Sequence, residues 1–250
     1  MSSKDFPTLL GCIETHDVEG IRSCFQNGIS PNENWQGVSL FHWMIRMYAR
    51  SPRFSACMEA FWDAGLTVDD ADIMAVLLNR AEEVRERVQA HPELLARKWS
   101  FPFAYTPLTS VSLLHLCAEF NLLETGQVLL ESGANVDEPA GINVMGFGGQ
   151  TPIFHTVCQN LNQSEPMMEL LLKHGADLSV TVRGFVWGEG EPWETFIPAV
   201  NPISYAAMGL LPQFHRDPVT ISNIVSRLLK HQYGIDYQLP NILNRYLQKQ

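Results

Sequence analysis

The chain has little positive charge and little charge of any kind. Of its 250 residues, 17 are Lys or Arg and 27 are Asp or Glu, which gives a formal net charge of −10 at pH 7. Such a surface repels phosphate groups, so we expect neither nucleic acid nor an anionic membrane as a partner. No apolar run approaches the 18 or so residues of a spanning helix, and the first residues lack the apolar core of a secretory signal.

The sequence also lacks the spacings that mark metal, redox and phosphate sites. Its five cysteines are scattered, without a Cys-x-x-Cys pair, and no two histidines stand four residues apart on a helix. The glycine-rich stretches 146–150 and 188–192 are not followed by the Lys-Ser/Thr of a phosphate loop, so they indicate turns. We therefore expect no cofactor and no metal, reduced and buried thiols, and a cytoplasmic location.

What the sequence does contain is a recurring pattern. With 46% hydrophobic residues the chain can bury a large core. Several segments open with Ser, Thr or Asn, place a His or Tyr a few residues later, and end a second apolar helical run just before a glycine. These features are typical of a capped helix pair whose last helix stops at a residue with positive φ. The signature residues are His42, His115, Gly133, Thr151, Pro152, His155, Gly175 and Tyr205.

Two of these segments resemble ankyrin repeats most closely. In the first, Thr151-Pro152-Ile153-Phe154-His155 resembles the opening of such a repeat and Leu171-Leu172-Lys173-His174-Gly175-Ala176-Asp177 its close. In the second, the matching stretches are Leu113-Leu114-His115 and Leu129-Leu130-Glu131-Ser132-Gly133-Ala134-Asn135. The resemblance implies an all-α, ankyrin-like helical repeat solenoid with extended β-hairpin loops along one face, and a role in protein recognition rather than catalysis. It implies a single domain over 1–250, with units at approximately 5–36, 37–70, 71–109 (degenerate), 110–148, 149–198 and 199–236, and a C-terminal capping helix at 237–250.

The recurring histidines favour a structural role over a catalytic one. A catalytic base is needed once, whereas a bracket that ties a helix start to the adjacent loop is needed in every unit. Tyr205 takes the histidine position in the last unit, and a phenol is a poor substitute for a general base. An enzyme that uses Cys117 or Cys158 with a neighbouring histidine is the weaker alternative, because no third orienting group or oxyanion loop is identifiable. We therefore expect no enzymatic activity.

Long insertions between units predict projecting loops. The segments 137–150 and 179–201 exceed the expected spacing. In the second, Val180, Val182 and Val186 alternate with Thr181, Arg183, Phe185 and Trp187 before the turn at 188–192, and this pattern predicts a β-hairpin. A third aromatic loop, 99–105, precedes the unit at 110–138. Three such loops along one face predict a groove, with the alternative that the loops only pack on one another.

These loops supply the candidate contacts for another protein. Acidic residues at the rim favour a basic partner, and one narrower alternative is a protein that neutralises a basic toxin or enzyme. Neither an oligomeric state nor a role for the insertion at 209–220 follows from the sequence. The candidate interface residues are Trp99, Phe101, Phe103, Tyr105, Met145, Phe147, Phe185, Trp187, Glu189, Glu191, Trp193, Glu194 and Phe196.

Overall fold

The computed structural model describes residues 5–47, 49–103, 105–159, 162–192, 194–208 and 218–237. The α-helices in this part of the chain are α1 Phe6–Glu14, α2 Val18–Gln26, α3 Leu40–Arg46, α4 Phe54–Asp63, α5 Ala71–Leu77, α6 Ala81–Ala90, α7 Leu113–Phe120, α8 Leu123–Glu131, α9 Glu165–Lys173, α10 Pro202–Ala207 and α11 Pro218–Tyr233. Short 3₁₀ helices cover Pro92–Leu95 and Pro152–His155. The strands are β1 Asn34–Trp35, β2 Val38–Ser39, β3 Val182–Trp187 and β4 Thr195–Val200.

Polar side chains start several of the helices, as the sequence predicts. Ser39 accepts a hydrogen bond from the His42 backbone at the start of α3, and Asn201 accepts one from the Ser204 backbone at the start of α10. Each bond satisfies a helix N–H that has no partner within the helix. Thr151 differs, because it precedes a 3₁₀ turn rather than an α-helix and its buried hydroxyl has no hydrogen-bond partner among the described residues.

The helices pack in chain order around one continuous apolar core. Helix α1 contacts α2 and α3, α6 contacts α8, α8 contacts α9, and α10 contacts α11. The core extends from Leu9 on α1 to Leu228 on α11. The sheet contributes to the same core, because Ile197 and Val200 of β4 are both buried.

The hairpin predicted over 179–201 forms, as β3 paired antiparallel with β4. Its register places Val182 opposite Val200 and Trp187 opposite Thr195. Gly184 interrupts the alternation of faces, with a φ of +149° and a backbone so close to Ile197 that a Cβ would lie 2.6 Å from the Ile197 carbonyl oxygen. Only glycine fits such a position. Val182, Phe185 and Trp187 are all buried, so burial along β3 does not follow the regular alternation that the sequence pattern predicts.

The all-α fold class, with its ankyrin-like solenoid, is wrong. About half of the described residues are helical, and two small antiparallel sheets make the fold mixed α and β without an evident repeat solenoid. The irregularity is visible in the helices, which range from 6 residues in α10 to 16 in α11. A uniform array of helix pairs would build its core from helices alone. In this protein the buried aromatic side chains of the hairpin fill part of the core, which is one physical reason for the departure from a repeat array.

Two predicted segments fall largely outside the described residues. These are the capping helix at 237–250, of which only Tyr237 is described, and the insertion at 209–220, of which 218–220 begin α11. Within the described residues, no helix combines the length and the apolar character needed to cross a membrane.

Candidate protein-binding surface

Three loops form one surface, which we call the loop face: residues 99–110, 137–150 and 179–200. Ala104 and the predicted interface residue Trp193 lie outside the described residues. Main-chain hydrogen bonds connect the loops. Gly148 N–H donates to the Gly184 carbonyl at 2.8 Å, and Gly141 N–H donates to the Ser110 carbonyl at 2.9 Å. The position of each loop therefore depends on its neighbour.

Two of the predicted interface aromatics belong to the core instead. Phe185 and Trp187 are each only 1% exposed. The Phe185 ring contacts the Tyr205 ring edge-on, with ring centroids 5.2 Å apart. The ring centroids of Trp187 and Tyr105 are 5.4 Å apart. In this conformation neither side chain can contact a partner, so their assignment to the interface is corrected: they anchor the hairpin on the helices.

The aromatics of the first loop are partly buried. Trp99 donates its indole N–H to the Asp70 carboxylate at 2.8 Å. Phe103 lies beneath the Arg50 guanidinium, 5.1 Å from its ring centroid, and contacts the Tyr105 ring at 5.4 Å. Phe101 also packs against the core. All four aromatic side chains of this loop are therefore only partly exposed to solvent.

The exposed apolar surface gathers instead at the tip of the loop 137–150. Ile142, Val144 and Met145 are 66%, 105% and 57% exposed, and Phe196 of β4 is 46% exposed. Phe147 of the loop contacts Phe196 of β4 edge-on, with ring centroids 4.8 Å apart, and so connects the loop tip to the hairpin. Sequence reasoning missed Ile142 and Val144 because it searched these loops for aromatic residues.

A groove runs beside this tip. One cavity of about 310 Å³ lies between Ile142 and Phe147 on one side and Val186 on the other. A second cavity of about 450 Å³ is lined by Phe101 and Phe103 and ends at Arg46. Both cavities include Pro107, Thr109 and Glu189 in their walls, so they lie side by side on the loop face.

The three carboxylates at the hairpin turn differ in their ion pairs and hydrogen bonds. Glu191 forms an ion pair with Arg46 of α3, which ties the turn back to a helix far away in the sequence. Glu194 accepts a hydrogen bond from Gly190 N–H at 2.9 Å. Glu189 is exposed and has no ion pair among the described residues. It lies where the two cavities meet, so it supplies an uncompensated negative charge inside the groove.

Five of the eight signature residues are buried, whereas His42 is half-buried and Gly133 and Gly175 are exposed. His115 accepts from Ser112 N–H at 3.2 Å, and its other ring nitrogen bonds to the Gln150 carbonyl at 3.0 Å. Burial, with a further contribution from nearby His155, holds the pKa of His115 well below its usual value. Tyr205 bonds through its hydroxyl to Thr106 at 2.7 Å. These contacts tie helix starts to loops, as expected of structural brackets. Gly133 and Gly175 have φ of +95° and +83°, as predicted for residues that end helices.

His155 takes part in a buried charged cluster that the sequence did not predict. Its Nδ1 lies 2.8 Å from a Glu119 oxygen, and the other Glu119 oxygen accepts from Arg50 at 2.9 Å and from Gln159 at 3.1 Å. Burial opposes ionisation of Glu119, but Arg50 and the hydrogen bond with His155 outweigh it, so the pKa of Glu119 is lowered. The cluster is enclosed by core side chains, with His155 only 1% exposed, and thus offers no surface for a substrate.

Cys117 is poorly suited to act as the nucleophile of the alternative hypothesis, an enzyme that uses a cysteine with a neighbouring histidine. Cys117 is fully buried, and burial raises the pKa of its thiol far above its usual value. A thiol that stays protonated is a poor nucleophile. Cys158 is half-buried and hydrogen-bonded to Tyr205. In the described part of the chain, no group of three or more His, Cys, Asp and Glu side chains is arranged to hold a metal ion.

A scan of the sequence against protein-family models found no match, and a search among curated proteins found no significant match. The resemblance to ankyrin repeats is tested by neither finding and stays a prediction. The case for a function consequently depends on the surface described above.

Proposed function

We propose that this protein is a non-enzymatic binding protein that holds a partner protein on the loop face. The observation that carries the proposal is the exposed apolar tip at Ile142, Val144 and Met145, directly beside a groove. Exposed apolar side chains that cluster beside a groove are typical of interaction sites, whereas scattered ones are not.

The way the loops are built supports the same function. The tip is held by main-chain bonds and by Arg183, which donates to the Met145 carbonyl at 3.0 Å. Its conformation therefore does not depend on burial of its own apolar side chains. A surface that is ordered before binding loses less conformational entropy on association.

The free carboxylate in the groove favours a basic partner. Glu189 can pair with a Lys or Arg of the partner, and a chain with net charge −10 attracts basic proteins over a distance. We therefore expect the complex to weaken as ionic strength rises. A basic toxin or enzyme that is neutralised by this protein is one special case, and inhibition of that enzyme's activity by the purified chain would identify it.

The experiment is a pull-down with the full chain and two surface variants. The first carries Ile142→Ser, Val144→Ser and Met145→Ser, and the matched control carries Val219→Ser and Tyr233→Ser, which are exposed apolar residues of α11. Circular dichroism must show that both variants keep the helical content and melting temperature of the parent. Each protein retained by the parent is then purified and its dissociation constant measured for all three chains.

We expect the loop-face variant to lose a partner that the α11 variant keeps, with an affinity at least about tenfold weaker, since removal of a contact worth about 1.4 kcal/mol changes a dissociation constant tenfold. Equal affinities for all three chains would contradict the proposal. If the loop-face variant kept the partner and the α11 variant lost it, the binding surface would lie on α11 instead.

A further inference from the structure

Two cysteines lie at the packing contact of the first two helices. Cys12 lies on α1 and Cys24 on α2, and the Cys12 sulfur packs against α2 beside Gly20, one turn before Cys24 on the same side of that helix. Cys12 is half-buried and Cys24 is 9% exposed, so the pair lies near the surface. Cys57 and Cys117, by contrast, are completely buried. Neither member of the pair belongs to the loop face.

A glycine gives this thiol pair its room. Gly20 lies inside α2, where glycine is less favourable than alanine because it loses more conformational freedom on folding. A Cβ at this position would lie 2.4 Å from the Cys12 sulfur and 2.5 Å from an Asp17 oxygen. The missing side chain therefore leaves the space that the Cys12 thiol occupies beside α2.

We propose that Cys12 and Cys24 form a reversible disulfide by exchange with a small-molecule disulfide such as oxidised glutathione, and that this bond joins α1 to α2. The Cys12 thiolate attacks one sulfur of the small disulfide, forms a mixed disulfide and releases one glutathione thiolate, which takes up a proton. The Cys24 thiolate then attacks the Cys12 sulfur and expels the second glutathione. Two protein thiols are oxidised while one disulfide is reduced to two thiols, so no other oxidant is required.

The surroundings determine how fast each step proceeds. Burial, and then the nearby Asp17 carboxylate, raise the pKa of the Cys12 thiol, and burial also raises that of Cys24. Both thiols are therefore mostly protonated at neutral pH, so the first step is slow and accelerates as the pH rises. The second step is intramolecular, between cysteines on the facing sides of two packed helices, which favours ring closure over a lasting mixed disulfide.

The test uses the full chain with Cys158→Ser, which removes the remaining half-buried thiol. The folded protein is incubated with oxidised glutathione at pH 8, the free thiols are alkylated, and the products are identified by intact mass and peptide mapping. We expect the protein mass to fall by two hydrogen atoms and the peptide map to show a cross-link between residues 12 and 24. Cys57 and Cys117 should be alkylated only after unfolding, and dithiothreitol should reverse the cross-link completely. The cross-linked form should melt about 5 °C higher, because the bond restricts the unfolded chain.

Two further variants separate the proposal from ordinary thiol reactivity. Cys24→Ser should stop at a glutathione adduct on Cys12. Gly20→Ala, checked for folding by circular dichroism, should slow the cross-link because its Cβ displaces the Cys12 thiol. Lasting glutathione adducts on both cysteines of the Cys158→Ser chain would overturn the proposal, and so would unreacted thiols at both positions after a reference dithiol has been fully oxidised.

Discussion

The buried ion pair between Arg50 and Glu119 allows a demanding test of the fold. Each side chain is only 4% exposed, and the pair joins the segment before α4 to the helix α7. Glu119→Gln keeps the size of the side chain but leaves the Arg50 charge without its partner inside the protein. Breaking a buried pair by removing one charge costs about 3–5 kcal/mol of folding free energy, because the remaining charge is desolvated and uncompensated.

The pH dependence has a definite sign. The pKa of Glu119 is lower in the folded protein than its ordinary value of 4.5. The unfolded chain therefore takes up this proton first, so the stabilisation is fully present above the unfolded pKa and is lost as the pH falls through the folded pKa. We expect the parent to lose more stability than Glu119→Gln as the pH is lowered from 5 to below 4.

The assay is urea denaturation followed by circular dichroism, with free energies of unfolding from linear extrapolation. Arg50→Met and the double variant complete a cycle, for which we expect a coupling of about 1–3 kcal/mol. The matched control is Glu131→Gln, which breaks an ion pair with Arg85 whose side chains are 45% and 35% exposed, and it should cost at most about 1 kcal/mol. Additive single effects at Arg50 and Glu119, or costs no larger than the control's, would refute the reasoning.

Further predictions concern other buried features. Burial, together with Arg50 and Arg53, lowers the pKa of His16 to about 4. Since the unfolded residue titrates near 6.5, stability worth about 3 kcal/mol should be lost as the pH falls from 6.5 to 4. His16 has a φ of +51°, which Asn tolerates, so His16→Asn should remove this pH dependence from the denaturation curves. Gly184→Ala should destabilise the protein by about 1–3 kcal/mol in urea titrations, and by more than Gly190→Ala, where a Cβ meets nothing within 4 Å. Trp187→Ala should cost about 3–5 kcal/mol in the same assay, and a cost below about 1 kcal/mol would contradict its place in the core.

Local signals in the sequence predicted local structure well. Glycine after an apolar helical run predicted the positive φ of Gly133 and Gly175, and alternation around a glycine-rich turn predicted the pairing of β3 with β4. Such features depend on a few neighbouring residues, and their physical causes act over that same range. Phe185 and Trp187 were placed wrongly, because burial along β3 departs from strict alternation around Gly184, and no periodicity in the sequence reveals this departure.

Contacts between residues far apart in the sequence could not be predicted from its pattern. Arg50, Glu119 and His155 come from three separate segments, and each alone resembles an ordinary surface charge or a repeat signature. The placement of Cys12 and Cys24 on facing sides of two helices could not be predicted for a related reason, because two cysteines twelve positions apart come close only if their helices pack with those faces together. A resemblance judged from helix ends likewise could not predict a hairpin that fills part of the core, so the expected all-α class failed.

The size of the apolar tip limits what kind of binding it can support alone. Complete burial of an aliphatic side chain contributes about 1.5–3 kcal/mol, so Ile142, Val144 and Met145 together supply at most about 5–9 kcal/mol. The loss of translational and rotational freedom on association costs roughly 4–15 kcal/mol. The tip by itself therefore cannot hold a tight complex, and the groove must contribute a further apolar contact and a charge pair at Glu189. It follows that Glu189→Gln, which leaves the apolar surface intact, should weaken binding and reduce its salt dependence, whereas loss of the tip should weaken binding without changing the salt dependence.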